Sequence, residues 1–211
     1  MAAHGDSASA LQRFALDALP ASQWRNGAGL TREIVRGSVG AAPSDAASWD
    51  WRISVADIVQ AGPFSVFPGT DRMAALACGS GLQLLSADGV LRFDALGTVH
   101  AFAGETPLVA ALSAGAVQLF NVMVRRACVR AGLCVFHGDV SLDAAELDAL
   151  VVLCVRGEFR SVLHGIDGAV GLAGPLRQGD GFTLGAGRHA AVHLQALAPD
   201  SCLILARVER A

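Results

Sequence analysis

The chain has 211 residues, of which 53% are hydrophobic and 17% charged, and its formal net charge is −3. This length suits one large domain or two small, closely packed ones, and the apolar content argues against a disordered chain. No cluster of basic residues is present, which argues against a nucleic-acid-binding protein. The sequence contains neither lysine nor tyrosine, so lysine Schiff-base chemistry and acid catalysis by tyrosine are excluded.

The N-terminal residues and the cysteines predict a cytoplasmic protein. Residues 1–10 are small and polar, and we expect a flexible N-terminus without the basic and apolar regions of a signal peptide. Polar residues and a proline interrupt the uncharged stretch at residues 106–124, so that it does not predict a membrane span. The cysteines are odd in number and form no C-x-x-C pair, which favours a reducing compartment; they are Cys78, Cys128, Cys134, Cys154 and Cys202.

Short apolar runs between glycine-rich segments dominate the chain and predict an all-β fold. The Asp-Gly pairs that begin at Asp88 and Asp167 predict hairpin turns, and Pro68 with Gly69 predicts another turn. Residues 141–150, with early acidic residues and spaced leucines, predict one or two turns of helix. Examples of the predicted strands are residues 51–58, 73–78, 82–86, 108–112, 117–122, 150–155, 159–163 and 190–194.

Two parts of the chain are similar to each other. Residues 73–81 and the Asp-Gly pair after them are similar to residues 151–158 and the Asp-Gly pair that follows there. This recurrence predicts two copies of one small barrel, packed as one globular unit. We expect the first barrel at residues 11–130 and the second at residues 131–211. A single larger sandwich is the alternative.

Four blocks of the sequence, in this order, resemble the signatures of the bacterial HutD/Ves family. Residues 24–34 are similar to W-x-N-G-G-G-x-T-x-E-I, with Ala28 in place of the middle glycine, and residues 49–57 are similar to F-x-W-R-[IL]-S-x-A. Residues 62–72 resemble G-P-F-S-x-F-P-G-x-D-R, and residues 121–126 resemble N-x-M-x-R-R. The resemblance implies a cupin-like (RmlC-like jelly roll) bicupin with two β-barrels and few short helices. It also implies a connection with histidine utilisation in some members and with stress response in others.

The histidine pattern of metal-binding cupins is missing from the sequence. That pattern, G-x5-H-x-H-x3-4-E with a later histidine, would place histidines where Pro68 and Thr70 stand. In the second half the later histidine position falls on Ala190. His189 and His193 flank it and share one face of a strand, so a metal pair is conceivable there. No carboxylate or third imidazole lies nearby in sequence, and we expect neither a metal nor another cofactor.

Familiar catalytic motifs are also missing. The sequence has no G-x-S-x-G elbow, no H-E-x-x-H and no Walker loop. We expect His137 and His164 at the surface or in structural hydrogen bonds. His100 could line the first barrel, and a core histidine is an equal alternative.

Arginine is the residue type that best suits a binding site in this sequence. A guanidinium offers a fixed fork of donors that holds a carboxylate or phosphate by two hydrogen bonds, and the family block places Arg72 at the mouth of the first barrel. The structural alternative pairs Arg52 with Asp50, Asp57 or Glu33, and Arg72 with Asp71 or Glu105. With apolar walls and directional polar groups, the predicted ligand-binding residues are Arg72, Arg52, Trp24, Asn26, Thr31, Ser54, Phe64, Ser65, Phe67 and Asn121.

These observations predict a metal-free, non-enzymatic protein that binds a small carboxylate metabolite and regulates a degradation pathway. If the link with histidine utilisation holds, the intermediates of that pathway are carboxylic acids and suit an arginine anchor. The alternative is a metal-independent isomerase or hydrolase with His100 or Glu105 as its base. A third interpretation is a protein-interaction module, and homodimer formation is compatible with all three. We expect no nucleic-acid partner and no membrane partner.

Overall fold

The computed structural model describes residues 11–24, 26–39, 49–144, 146–165, 170–185 and 189–211. This part of the chain is built from strands and one 3-10 helix at Leu16–Ala18, which confirms the predicted all-β class. The strands are β1 (Gln12–Ala15), β2 (Ala21–Gln23), β3 (Gly29–Gly37), β4 (Trp51–Ile58), β5 (Gly62–Pro63), β6 (Thr70–Cys78), β7 (Leu82–Ser86), β8 (Gly89–Phe93), β9 (Val99–Ala103), β10 (Val109–Leu112), β11 (Val117–Arg125), β12 (Val129–His137), β13 (Val140–Asp143), β14 (Ala149–Arg156), β15 (Glu158–Gly165), β16 (Val170–Arg177), β17 (Asp180–Gly185), β18 (His189–Ala196) and β19 (Cys202–Arg210).

The chain divides into two compact units, and the first is formed by Leu19–Leu133 together with Ala211. It contains a six-stranded sheet in the order β2-β3-β4-β11-β6-β9 and a four-stranded sheet in the order β5-β10-β7-β8. All pairings described within these sheets are antiparallel. Strands of both sheets contribute to one apolar cluster, whose large members include Ile58, Phe64, Leu76, Leu82, Leu84, Phe93, Leu108 and Leu119.

The second unit combines residues 11–18 with Cys134–Arg210. Its five-stranded sheet has the order β1-β17-β14-β19-β12, and its four-stranded sheet has the order β13-β18-β15-β16. Apolar residues two positions apart on these strands share one face of each sheet. They form a separate core cluster that includes Leu150, Val152, Phe159, Leu163, Leu176, Phe182, Val192, Leu194 and Leu203.

Residues 11–18 belong to the second unit, whereas the predicted boundary assigned them to the first barrel. The prediction placed residues 11–130 together, whereas β1 pairs with β17 and the Leu16 amide donates to the Gly179 carbonyl at 2.8 Å. Gly181 makes this pairing sterically feasible, because a Cβ at that position would lie 2.3 Å from the ring of Phe14. The strand pairing therefore joins the start of the described chain to its C-terminal half.

The predicted helix at residues 141–150 is wrong. The segment contributes β13, which ends at Asp143, and β14, which begins at Ala149; residue 145 lies outside the described residues. In β13, Val140 is opposite Leu194 and Leu142 is opposite Val192, so that β13 and β18 pack apolar side chains across the pair. This cross-strand packing outweighs the weak helical pattern, because tertiary contacts routinely override local propensity.

The predicted turns give two outcomes. Ser86 pairs with Gly89, so that β7 and β8 form the hairpin predicted at Asp88. Gly69 adopts a φ of 72° after Pro68, a left-handed conformation that glycine accepts without steric cost. The second Asp-Gly pair, at residues 167–168, lies outside the described residues. Among the residues that the structure describes, none forms a helix long and apolar enough to cross a membrane.

We expect Gly181→Ala to lower the free energy of unfolding by about 1–3 kcal/mol, because the added Cβ overpacks the contact between β1 and β17. Both the Phe14 ring and the Val152 carbonyl would lie 2.3 Å from it. Urea denaturation followed by circular dichroism measures the change. Gly62→Ala is the matched control, since its nearest heavy atom would be 3.6 Å away. Equal unfolding midpoints for the two variants would contradict the packing assigned to Gly181.

Candidate ligand-binding pocket

A cavity of about 550 Å³ lies against the face of the six-stranded sheet that carries Ser54, Arg72 and Asn121. Strands β2, β3, β4, β6 and β11 contribute to it, and the segment that contains β5 and residues 64–67 closes one side. Its lining residues are Ser22, Gln23, Trp24, Asn26, Thr31, Arg52, Ser54, Ala56, Pro63, Phe64, Ser65, Phe67, Arg72, Asn121 and Met123.

All ten residues predicted to bind a ligand line this one cavity. Their role in binding remains a prediction, but the structure brings together side chains that lie up to 97 positions apart in the sequence, from Trp24 to Asn121. Sequence reasoning missed five lining residues. Ala56 and Met123 follow Ser54 and Asn121 by two positions, and strand alternation could have found them. Pro63 belongs to the block at residues 62–72 but was not selected, and nothing in the sequence marked Ser22 and Gln23.

The strand register explains why the two arginines face the same cavity. Met123 of β11 is opposite Arg52 of β4 on one side and opposite Arg72 of β6 on the other. Asn121 is opposite Ser54 of β4 in the same way. Because side chains two positions apart on a strand share a face, these pairs form two adjacent cross-strand rows. The cavity floor therefore presents two cations and several neutral polar groups.

Arg72 is the most deeply buried charged group of the cavity, with 7% of its surface exposed. Its Nη2 donates to Asn121 Oδ1 at 3.2 Å, and its Nη1 donates to the Ser65 carbonyl at 3.3 Å. Its Nε is buried and has no hydrogen-bond partner among the residues that the structure describes. Burial, reinforced by the positive charge of Arg52, lowers the pKa of Arg72 to about 10.

Three aromatic rings surround the Arg72 guanidinium. The ring centroids of Phe64, Phe67 and Phe102 lie 5.5, 5.6 and 5.1 Å from its Cζ atom. Cation–π attraction offsets part of the cost of removing the charge from water, but it does not replace a hydrogen-bond acceptor for the Nε group. The guanidinium thus keeps donor capacity that the protein itself does not use.

The carboxylates proposed as partners of Arg72 pair with another arginine. Arg126 Nε donates to Asp71 at 2.7 Å, and Arg126 Nη1 donates to Glu105 at 3.1 Å. Among the described residues, no Asp or Glu forms an ion pair with Arg72. Arg52 does have an acidic partner, because its Nε lies 2.7 Å from Glu33. The structural alternative therefore applies to Arg52 and fails for Arg72.

Hydrogen bonds hold the wall of the cavity in place. Trp24 Nε1 donates to Thr31 Oγ1 at 2.8 Å, and the Trp24 ring meets Phe64 edge to face with centroids 6.0 Å apart. The Phe64 amide donates to the Leu108 carbonyl at 2.8 Å, and the Phe67 amide donates to the Gly104 carbonyl at 2.8 Å. Side chains locked in this way suit a preformed ligand site.

The candidate bases of the enzyme hypothesis do not line the cavity. His100 lies on β9, where its Nε2 is 2.8 Å from the Arg92 carbonyl and its ring meets Phe93 edge to face. Glu105 is exposed, and its hydrogen bond with Arg126 is the main reason why its pKa is lowered. A carboxylate whose pKa is lowered is a weaker base than an ordinary one. Neither group is placed to take a proton from a molecule in this cavity.

Two of the cysteines, Cys154 and Cys202, are poor nucleophiles because they are buried. All five are free thiols, and burial raises the pKa of Cys154 to about 11. Burial also raises the pKa of Cys202. Because the thiolate is the reactive form of cysteine, these two side chains are neutral and unreactive near pH 7.

The cavity does not have the chemistry of a metal site. Its described lining residues include two arginines and no His, Cys, Asp or Glu, whereas a divalent cation needs deprotonated or neutral donors of those types. Thr70, at one of the cupin histidine positions, uses its hydroxyl to donate to the Phe67 carbonyl at 2.7 Å. In the part of the chain that the structure describes, no group of three or more His, Cys, Asp and Glu is arranged to hold a metal ion.

We expect Arg72→Met to stabilise the ligand-free protein by about 1–4 kcal/mol, because it replaces a buried cation without an acidic partner by an apolar chain of similar length. Since the pKa of Arg72 is lowered to about 10, the cost of its charge is fully present below that pH and declines above it. Thermal unfolding at pH 7 and at pH 10.5 measures the effect, and the gain is larger at pH 7. A variant less stable than wild type at both pH values would contradict this account.

Comparison with known proteins identifies the family of the chain. The model of the HutD family matches residues 16–203. An uncharacterized 21.2 kDa protein in the hutC 3' region of Pseudomonas putida is 36% identical over 148 residues, which are 68% of this chain and 73% of that protein. Protein Ves of Citrobacter koseri is 36% identical over 120 residues, and the match covers 55% of this chain and 59% of Ves.

Solved structures show the same fold at lower sequence identity. HutD from Pseudomonas fluorescens SBW25 has a TM-score of 0.76 at 22% identity, covering 96% of this chain and 100% of that one. Oxalate decarboxylase from Lactobacillus farciminis, in a formate complex, has a TM-score of 0.60 at 12% identity, covering 97% and 87%. These likenesses confirm a cupin-like all-β fold, and the family match confirms the resemblance seen in the four sequence blocks. The chain belongs to the HutD family.

Proposed function

We propose that this chain binds a small carboxylate metabolite in the cavity around Arg72 and regulates or governs histidine utilisation, without a metal or other cofactor. The observation that supports this proposal is the state of Arg72: it is buried, lacks an acidic partner and leaves its Nε donor unused. A protein interior seldom leaves such a group unsatisfied. A bound carboxylate would supply the missing negative charge and would accept from the Nη hydrogens that the bonds to Ser65 and Asn121 leave unused.

The electrostatic setting favours a small anion over a neutral or cationic ligand. Arg52 and Arg72 flank Met123 on the cavity floor, and Arg52 shares its one acidic partner, Glu33, with Arg36. The region therefore holds excess positive charge. Away from water the attraction between a carboxylate and a guanidinium is stronger than at the surface, and two parallel hydrogen bonds add directional selectivity.

The size and walls of the cavity suit a metabolite. Pockets for small ligands typically measure about 300–1,000 Å³ and combine apolar walls with a few polar groups, and this cavity measures about 550 Å³. Trp24, Phe64 and Phe67 supply apolar surface, and Thr31, Ser54 and Asn121 supply polar groups. A chain of a few carbons with a terminal carboxylate fits this distribution.

The pathway assignment is part of the proposal. The family match and the relative in the hutC 3' region of Pseudomonas putida support a role in histidine utilisation. A regulatory role agrees with the positions of His100 and Glu105, which leave the cavity without a catalytic base. We propose that the protein acts in the cytoplasm, requires no nucleic acid or membrane, and is able to form a homodimer.

We also infer that the two units are two cupin barrels, which makes the chain a bicupin. Each unit contains two antiparallel sheets with its own apolar cluster. The likeness of residues 73–81 to residues 151–158 supports a duplication. The first segment falls in β6 and the second in β14–β15, and β6 and β14 are each followed by a strand of the four-stranded sheet of the same unit.

The ligand is sought by thermal shift and calorimetry with a panel of carboxylic acids from histidine degradation. Inorganic phosphate is the control that shows whether the cavity binds any small anion. We expect a panel acid to stabilise wild type, and Arg72→Ala to bind it at least tenfold more weakly. Arg72→Lys should bind it more weakly than wild type, because lysine retains the charge and loses the two-pronged geometry.

Arg92→Ala is the matched control for Arg72→Ala, since Arg92 is an exposed arginine of the same unit that does not line the cavity. Equal responses of wild type and Arg72→Ala to every acid would contradict the proposed role of Arg72. Turnover assays on the same acids, with and without added metal, test the enzyme hypothesis, and we expect no product above the uncatalysed background.

A further inference from the structure

We propose that the second unit binds a divalent transition-metal ion, such as Zn²⁺, through His164 and His193 on the solvent-facing side of its four-stranded sheet. Together with Ser141 these residues form what we call the histidine face. It shares no residue with the Arg72 cavity. The sequence places His164 and His193 29 positions apart, and only the pairing of β15 with β18 brings them together.

The strand register places both imidazoles on one face. In the β15–β18 pair, His193 is opposite Val162 and His164 is opposite Ala191, so that the two histidines are diagonal neighbours. The residues that alternate with them, Leu163 and Val192, belong to the core cluster and are fully buried. Because successive side chains of a strand point to opposite faces, the histidines lie on the side away from the core. His193 is exposed and His164 is half-buried.

The spacing of the two rings fits a shared metal ion. Their centroids lie 5.2 Å apart, with an angle of 84° between the ring planes. Zinc binds imidazole nitrogens at about 2.0–2.1 Å in tetrahedral sites, and two imidazoles on one tetrahedral ion have centroids about 5 Å apart. The strands therefore already hold the rings at the separation that chelation requires.

Ser141 supplies the supporting contact that metal-binding histidines usually have. Ser141 is opposite His193 in the β13–β18 pair, and its Oγ lies 2.8 Å from His193 Nδ1. With Nδ1 engaged by the hydroxyl, Nε2 is the nitrogen left to bind an ion. Metal-bound histidines commonly hold their second nitrogen in such a hydrogen bond, which fixes the orientation of the ring.

The donor set defines the class of ion. Neutral imidazoles bind Zn²⁺, Cu²⁺ and Ni²⁺, whereas Mg²⁺ and Ca²⁺ require oxygen ligands. Two protein ligands leave coordination positions for water, so the face is an open site on the surface and not a closed structural site. This differs from the metal centre of a cupin barrel, because the side chains are on the face opposite to the core cluster.

The test is calorimetric titration of the full-length, tag-free protein with ZnCl₂ near pH 7.5, with MgCl₂ as the comparison ion. We expect wild type to bind one Zn²⁺ and no Mg²⁺, and His164→Ala and His193→Ala each to weaken Zn²⁺ binding at least tenfold. Ser141→Ala should weaken it about tenfold through loss of the orienting contact. His137→Ala, which removes another exposed histidine of the same unit, should bind as wild type does.

Two results would overturn the proposal. One is that wild type binds no Zn²⁺ at concentrations on the order of 1 mM, at which even weak surface sites are occupied. The other is that both histidine variants bind Zn²⁺ as tightly as wild type. Circular dichroism shows whether the variants are folded. We expect them to fold, because the substituted residues lie on the surface of the sheet. Arg72→Ala separates this site from the proposed carboxylate cavity, because this variant should lose affinity for the carboxylic acid and bind Zn²⁺ as tightly as wild type.

Discussion

The cavity depends on one unbalanced interaction, the burial of Arg72 without a carboxylate partner. The nearby acids that could neutralise it, Asp71 and Glu105, are held outside by Arg126. Three phenyl rings, one amide and one backbone carbonyl surround the guanidinium instead. Each neighbour is neutral, so the local positive charge is preserved, and the stability lost in this way is the usual cost of a preorganised binding site.

Arg126 has a structural role that complements that of Arg72. Besides its two carboxylates it bonds the Thr70 carbonyl at the start of β6. By tying Asp71, Thr70 and Glu105 together, it fixes the strand end from which Arg72 projects. The two arginines thus differ in role: Arg126 is exposed and paired with two carboxylates, whereas Arg72 is buried and keeps unused donors. The N-x-M-x-R-R block contains both Asn121, which accepts a hydrogen bond from Arg72, and Arg126. Arg126 binds the two carboxylates that could otherwise pair with Arg72.

Strand alternation made much of the fold predictable from the sequence. Trp51–Ile58 and Leu82–Ser86 are strands with the predicted bounds, because both runs are apolar and bounded by turn residues. Residues 141–150 misled because leucines at 142, 147 and 150 satisfy a helical spacing as well as a strand pair. For the cavity, the family blocks selected residues that the register then explains. Ser22 and Gln23 could not be foreseen, since the three exposed residues of β2 carry no pattern.

The pairs that depend on distant parts of the chain were beyond sequence reasoning. The preference of Asp71 and Glu105 for Arg126 is decided by where β11 ends, and the meeting of His164 with His193 is decided by the β15–β18 register. In both cases the residue types were visible in the sequence and their neighbours were not. Local propensity carries no information about which of several equally charged groups a folded sheet brings into contact.

The pairing of β1 with β17 also determines when the five-stranded sheet can form during translation. Arg13, just after the start of the described chain, donates to the Pro175 carbonyl 162 positions away, so β1 leaves the ribosome long before its partner exists. Apart from Ala211, the unit of Leu19–Leu133 is continuous in sequence, so its strands are synthesised before most of the other unit. The other unit must wait for nearly the whole chain, and contacts between such distant segments form slowly. Nascent β1 therefore spends this interval without the strand that it pairs with in the finished protein.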